Sequence, residues 1–269
     1  MICFPNAKIN LGLNVVSKRA DGYHNLETVF YPLRIEDALE VVVNESLSDD
    51  SFHQSGLPID GDSSDNLVMK ALRLMREKYV FPPVEVHLLK KIPFGAGLGG
   101  GSSDASFMLK LLNQTFDLGI ADTELAEYAL TLGADCPFFV YNRPLLASGV
   151  GELFEEIELS LDGYYFVLVK PDVHVSTKDA FGGILPQKPA RSLKEIIQMP
   201  VADWRDALVN DFERTVFAKY PEIRQVKERL YQSGAVYASM SGSGSSVYGI
   251  FKKDTPFNED FGAYYLVEP

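Results

Sequence analysis

Apolar and polar residues alternate strictly near the start of the chain. Ala7, Ile9, Leu11 and Leu13 fall on one side and Lys8, Asn10, Gly12 and Asn14 on the other, the period of two that predicts a strand over residues 3–16. Asp21-Gly22 is a turn signal, so Tyr23 and His24 open a returning strand. Another strand is predicted over 37–43. The polar stretch Glu45 to Asp65, rich in Ser, Asp and Gly, reads as a surface loop interrupted by a short strand. The period then lengthens. Asp65-Asn66 caps a helix running to about Lys78, with Leu67, Ala71, Leu74 and Met75 as its apolar stripe. Val84–Leu89 predicts a strand, and 105–113 and 123–132 predict helices, the second closed by Gly133. Asp135 follows, between that helix end and an apolar run, 137–140, read as a strand. Near residue 158 the pattern restarts, with a strand over 164–171, a helix capped by Asn210 or Asp211, and a strand over 247–251. Strands and helices together predict an α+β protein, divided into residues 1–158 and 159–269.

Between a strand and a helix lies Pro93 to Asp104, PFGAGLGGGSSD, with five glycines from Gly95 to Gly101. A chain that keeps so many glycines usually needs positive φ or close approach of its backbone to a ligand. Ser102, Ser103 and Asp104 sit where a helix would be capped. Such a loop can hold phosphate oxygens on free N–H groups and a helix N-terminus. Pro93, Gly95, Ala96, Gly97, Leu98, Gly99, Gly100, Gly101, Ser102 and Ser103 are its candidate phosphate-holding residues. Gly95-x-Gly97-x-x-Gly100 also matches the dinucleotide fingerprint, but the acidic strand end expected about 20 residues on is replaced by a helical pattern. No GK[ST] closes the loop, so it is not a Walker A motif. A plain flexible connector is the remaining reading.

Composition narrows the partners. With 25 basic and 37 acidic residues the 269-residue chain carries a formal charge of −12, which argues against nonspecific binding to nucleic acid or to an anionic membrane. An anionic substrate must be held by local dipoles and a few cations, with Lys8, Lys90 and Lys91 the candidates by position. Cys3 and Cys136, both in apolar company, read as reduced core residues. The N-terminus carries no signal-peptide pattern and no run reaches 18 apolar residues, so a cytoplasmic protein is expected.

Six phrases now stand in order: PNAKINLGLNV, RADGYHNLET, the glycine loop, GADCPFF, VSTKDAF and ASMSGSGSS. Together they resemble the GHMP kinases, the superfamily of galactokinase, homoserine kinase, mevalonate kinase and phosphomevalonate kinase. The likeness spans nearly the whole chain and is most specific to a branch acting on a cytidine-diphosphate-linked methylerythritol. It implies a two-domain GHMP kinase fold, with an N-terminal ATP-binding domain like ribosomal protein S5 domain 2 and a ferredoxin-like C-terminal, substrate-side domain. It implies ATP and Mg²⁺, a small-molecule alcohol as acceptor, and transfer to its 2-hydroxyl in the non-mevalonate isoprenoid pathway. By the same resemblance Asp135 and Lys8 are catalytic and Asn66 lies along the nucleotide pocket. Tyr23 and His24 meet the cytosine, while Asn10, Thr177, Phe181, Gly242 and Ser243 line the substrate side. The residues alone leave other readings open: Tyr23-His24 as packing beside a turn, Asn66 as an ordinary cap, Asp135 as a structural turn carboxylate. A homoserine or mevalonate type of kinase is the alternative, and it has no cytosine for Tyr23 and His24 to read. No metal-ligand set and no oligomeric state are legible.

Overall fold

The computed structural model describes residues 1–58, 65–262 and 264–268. The part of the polar stretch at 59–64 lies outside the described residues. In chain order the elements are β1 (Ile2–Cys3), β2 (Asn6–Lys18), β3 (His24–Glu36), β4 (Ala38–Val43), β5 (Ser51–Gly56), α1 (Leu67–Lys78), β6 (Val84–Lys90), α2 (Gly100–Thr115), α3 (Asp122–Leu132), α4 (Cys136–Tyr141), β7 (Leu145–Ser148), β8 (Leu153–Glu156), β9 (Tyr164–Val169), α5 (Thr177–Phe181), α6 (Leu193–Ile196), α7 (Phe212–Lys219), α8 (Pro221–Gln232), β10 (Tyr237–Met240), β11 (Val247–Lys252) and β12 (Tyr264–Val267). They gather into two compact units, one of Met1–Ala7, Ile35–Phe94 and Gly99–Arg143, the other of Lys8–Arg34, Gly95–Leu98 and Pro144–Pro269.

In the first unit a sheet of order β1-β4-β6-β5 pairs antiparallel except at β5–β6, which is parallel. The alternation of β4 and β6 puts Leu39, Val41, Val84, Val86 and Leu88 into one core with Ala71, Leu72 and Met75 of α1 and Met108, Leu109 and Leu112 of α2. Helix α1, only 12 residues long, would be marginal in isolation, so this apolar stripe is what holds it. Asn66 caps it, its side chain accepting the N–H of Val68 at 2.9 Å.

The run 137–140, expected as a strand, is helix α4. All of Cys136 to Val140 is buried, and an element buried on every side shows neither period. Pro137 in the first helical turn, where no N–H is needed, favours the helix.

The second unit holds two sheets. One has the order β2-β3-β7-β8; the other, β10-β11-β9-β12, is antiparallel throughout. Counting its strands along the chain gives 2-3-1-4, the order of a ferredoxin-like sheet. Helices α5 to α8 fill the crossover from β9 to β10, and among the described residues the return from β11 to β12 carries no helix. Val167, Val169, Val216, Ile223, Leu230, Met240, Val247 and Phe251 form its core.

Candidate active site

The glycine loop enters α2 through Gly99, whose φ of 69° is left-handed and therefore suits glycine. The helix starts at once, at Gly100, five residues earlier than the predicted 105. Ser102, Ser103 and Asp104 thus lie within its first turns rather than in front of it, and no side chain caps it. The Ser103 N–H closes the first turn on Gly99 O at 2.8 Å, while those of Gly100, Gly101 and Ser102 precede the first intrahelical bond and no side chain caps them, which is the condition for a phosphate site at a helix N-terminus.

Beneath that turn sits a buried ion cluster. Lys90 Nζ bonds a carboxylate oxygen of Asp37 and, at 2.7 Å, Oδ2 of Asp104, and all three residues are buried. Lys90 is therefore not a cation held for substrate, as its position near the loop had suggested. Its charge is taken by two carboxylates, because no isolated ion survives in so dry a place. Burial pushes the Asp104 carboxyl up to about 7; the Lys90 ammonium opposes the rise and the Asp37 carboxylate adds to it. Asp37 also accepts the N–H of Lys91 and, at 2.9 Å, of Ile92, which fixes the chain as it enters the loop.

Asp135 stands at the N-terminal end of α4. Helix α2 holds that end in place: the buried Ser106 hydroxyl donates to Cys136 O at 2.6 Å, and Lys110 Nζ donates to Val140 O at 3.0 Å. One helix therefore carries the glycine turn at its start and anchors the Asp135 segment along its length.

Within the second unit, residues 95–98 are fixed from both sides. Lys8 N–H donates to Leu98 O at 2.9 Å and Ser246 N–H to Ala96 O at 3.2 Å. Ser241 Oγ donates to Gly97 O at 2.8 Å. A Cβ on Gly97, whose φ is 77°, would lie 2.1 Å from Ser241 O, so the two glycine runs approach too closely for any side chain there. Gly242 is buried in the same turn, with Ser243 half-buried beside it.

On β2, Lys8 is only 4% exposed. Its Nζ donates to Asn10 Oδ1 at 2.8 Å and lies 4.7 Å from the centre of the Phe30 ring. Asn10 Nδ2 donates to Thr28 Oγ1 at 2.9 Å, and that hydroxyl donates to Gly12 O at 2.6 Å. The Asn10 backbone is held as well, its O accepting the buried Tyr248 hydroxyl at 2.8 Å. His24 stacks on Phe181 with ring centres 4.8 Å apart. Tyr23 is 66% exposed. Thr177 opens α5, exposed, next to its cap Ser176.

Of the residues singled out in the sequence, the second unit thus brings together Lys8 with Asn10, Gly97 with Gly242, and His24 with Phe181. Thr28, Ser241, Tyr248 and Ser106 were not singled out. Thr28 does lie in the RADGYHNLET phrase, but a threonine in a strand carries no polar signal until its partner across the sheet is known.

The model of the GHMP kinases N terminal domain matches residues 66–143, and that of the GHMP kinases C terminal matches 192–260. A Parabacteroides distasonis protein named 4-diphosphocytidyl-2-C-methyl-D-erythritol kinase is 58% identical over 259 residues, covering 96% of this chain and 94% of that protein. A Bacteroides fragilis protein of the same name is 57% identical over 270 residues, covering 100% and 98%. A crystal structure of 4-(cytidine 5'-diphospho)-2C-methyl-D-erythritol kinase superposes with a TM-score of 0.80 at 32% identity, over 93% of this chain and 90% of that one. With both halves matched and full-length identity well above what shared fold alone requires, the chain belongs to the GHMP kinases, within the family of the 4-diphosphocytidyl-2-C-methyl-D-erythritol kinases.

Proposed function

We propose that this protein transfers the γ-phosphoryl group of ATP to the 2-hydroxyl of 4-diphosphocytidyl-2-C-methyl-D-erythritol. The relatives' shared name over the full length of the chain motivates the reading. The observation that carries it is the Lys8–Asn10–Thr28 array, a desolvated cation and an oriented amide on one strand. On this reading residues 1–158 supply the nucleotide side, and 159–269 the substrate side together with Asn10, Tyr23 and His24.

Phosphoryl transfer asks a protein for positioning and for neutralisation of charge. Residues Pro93, Gly95 to Gly101, Ser102 and Ser103 hold the ATP phosphates, on the N–H groups and dipole at the start of α2; Asn66 lies toward the nucleoside. Mg²⁺ comes with ATP, where it neutralises phosphate charge. Among the described residues no three His, Cys, Asp or Glu are grouped to hold a metal by themselves, which fits a cation carried mainly by phosphate oxygens and water. Asp135 accepts or orients the proton of the attacking hydroxyl. Lys8 stabilises the charge that develops as the oxygen attacks. Asn10, turned by Thr28 so that its Oδ1 faces Lys8, grips the alcohol together with Thr177, Gly242 and Ser243. Tyr23, His24 and Phe181 take the cytosine, a flat ring that stacks and a base edge that hydrogen-bonds. A kinase of the homoserine or mevalonate type would have no use for that last group.

The test is ATP consumption by purified protein with this alcohol, beside Asp135→Ala and Lys8→Ala. Turnover that falls by about 10³-fold or more in Asp135→Ala, with ATP binding kept, is the expected result. Turnover with homoserine or mevalonate but not with this alcohol would overturn the acceptor. Normal turnover in Asp135→Ala would overturn its role.

A further inference from the structure

The three residues of the buried ion cluster come from three separate places: Asp37 between β3 and β4, Lys90 at the end of β6, and Asp104 in the first turns of α2. Lys90 and Asp104 are each 2% exposed and Asp37 1%. Stability alone does not account for them. Apolar side chains of similar volume often serve a fold as well as a buried ion cluster, or better. This cluster is also incompletely satisfied, because Oδ1 of Asp104 is buried without a hydrogen-bond partner. What charged groups add is direction, since each bond fixes one atom against another.

The atoms so fixed are the two ends of the glycine loop. At its entry Asp37 Oδ1 accepts the N–H groups of Lys91 and Ile92, and Asp37 is itself held by its own N–H, which donates to Pro5 O at 2.8 Å. At its exit Lys90 Nζ reaches Asp104 Oδ2 at 2.7 Å, while its other bond runs to Asp37. The Gly100 backbone is pressed onto the same strand end: a Cβ there would lie 2.8 Å from Ile92 Cγ2 and 3.3 Å from Lys90 Nζ. Entry and exit are thus tied through one ammonium group, with Asp104 about one helical turn past Gly100.

We propose that Lys90, Asp37 and Asp104 are positioning residues for the nucleotide: by spanning the glycine loop they hold the first-turn N–H groups of α2 at the spacing that phosphate oxygens require. The inference rests on the nucleotide reading of the loop given above, and it assigns none of the three a contact with substrate.

Calorimetry with MgADP tests it without turnover. Asp104→Asn keeps an acceptor oxygen for Lys90 and should hold the Kd within about twofold. Asp104→Ala leaves the Lys90–Asp37 pair but frees α2 from it, and should weaken MgADP about tenfold, with KM for the alcohol unchanged. Val86→Ala opens a hole in the core that packs α2 against β6, so urea-measured stability should fall while the Kd stays. If Asp104→Ala does not fold, Asp104→Ser, whose hydroxyl falls short of Lys90, takes its place. MgADP bound as tightly by Asp104→Ala as by the unaltered protein would overturn the positioning role. So would Val86→Ala or Asp104→Asn binding as weakly as Asp104→Ala. No MgADP binding by the unaltered protein would overturn the nucleotide reading and this proposal with it.

Discussion

Asn10 can present either its oxygen or its nitrogen toward Lys8, and a single hydroxyl decides which. Thr28 Oγ1 gives its proton to Gly12 O, so it can only accept from Asn10, which turns the amide nitrogen toward Thr28 and the oxygen toward Lys8. Thr28→Val keeps the shape and removes that instruction. It also leaves a buried donor unpaired, for about 1–3 kcal/mol. We expect KM for the alcohol to rise about tenfold and urea-measured stability to fall, with Thr28→Ser close to the original in both. A Thr28→Val protein with unchanged KM would detach Asn10 from acceptor binding. Gly97 is governed by backbone instead: with Ser241 O in the place of its Cβ, Gly97→Ala should cost at least about 1–3 kcal/mol and raise KM for ATP, measured in the same assays.

Among the elements, α2 has the largest share in the chemistry proposed. Its start offers the phosphate site, its first turns rest on the Lys90 cluster, and its middle anchors α4. Ser106→Ala releases Cys136 O and loosens Asp135; it also gives up a 3.0 Å contact with Ser102 O, a helix carbonyl that points away from the N–H groups of the glycine turn. Kinetics should show kcat down about tenfold with KM for ATP nearly constant, a split that general destabilisation would not produce. The cluster has a pH signature. Folded Asp104 keeps its proton to about pH 7, whereas the unfolded chain releases it near the ordinary value of 3.8. The folded state therefore holds the extra proton in that window. The contribution to stability is full below 3.8, declines as pH rises toward 7 and is flat above. Asp104→Asn should remove that decline, so that denaturation curves of the two proteins converge at acid pH and separate in favour of the variant toward pH 8. Parallel curves would show that Asp104 is ionised throughout.

At the scale of the whole molecule, charge sets the approach of substrate. A net −12 repels ATP and a cytidine diphosphate at long range, and salt screens that repulsion beyond about 10 Å at 0.1 M. Between 10 and 150 mM salt kcat/KM should therefore rise, the reverse of an enzyme that steers its anions in. A fall would mean that local positive potential at the site outweighs the net charge. Among the described residues no helix is long and apolar enough to cross a membrane.

Much of this was legible in the chain because much of it is local. The glycine loop needs left-handed backbone at Gly97 and Gly99, and few residues other than glycine sit there, so the loop announces itself. The alternation of β2 and the stripe of α1 record which side faces a core, and the order of the six phrases carried the family. Other features depend on what lies opposite. The run 137–140 is buried all round and so lost its period. Lys90 reads as a free cation until the fold sets Asp37, 53 residues away, against it. Thr28 is an ordinary strand threonine until sheet register sets Asn10 and Gly12 O against its hydroxyl. The sequence by itself determined the strand and helix types wherever one face shows a period, the glycine turn and the kinase family, since each is written in neighbouring residues. Only the tertiary structure decided which polar groups are paired, which are buried unpaired and which charges cancel, because those are fixed by contacts between segments far apart in the chain.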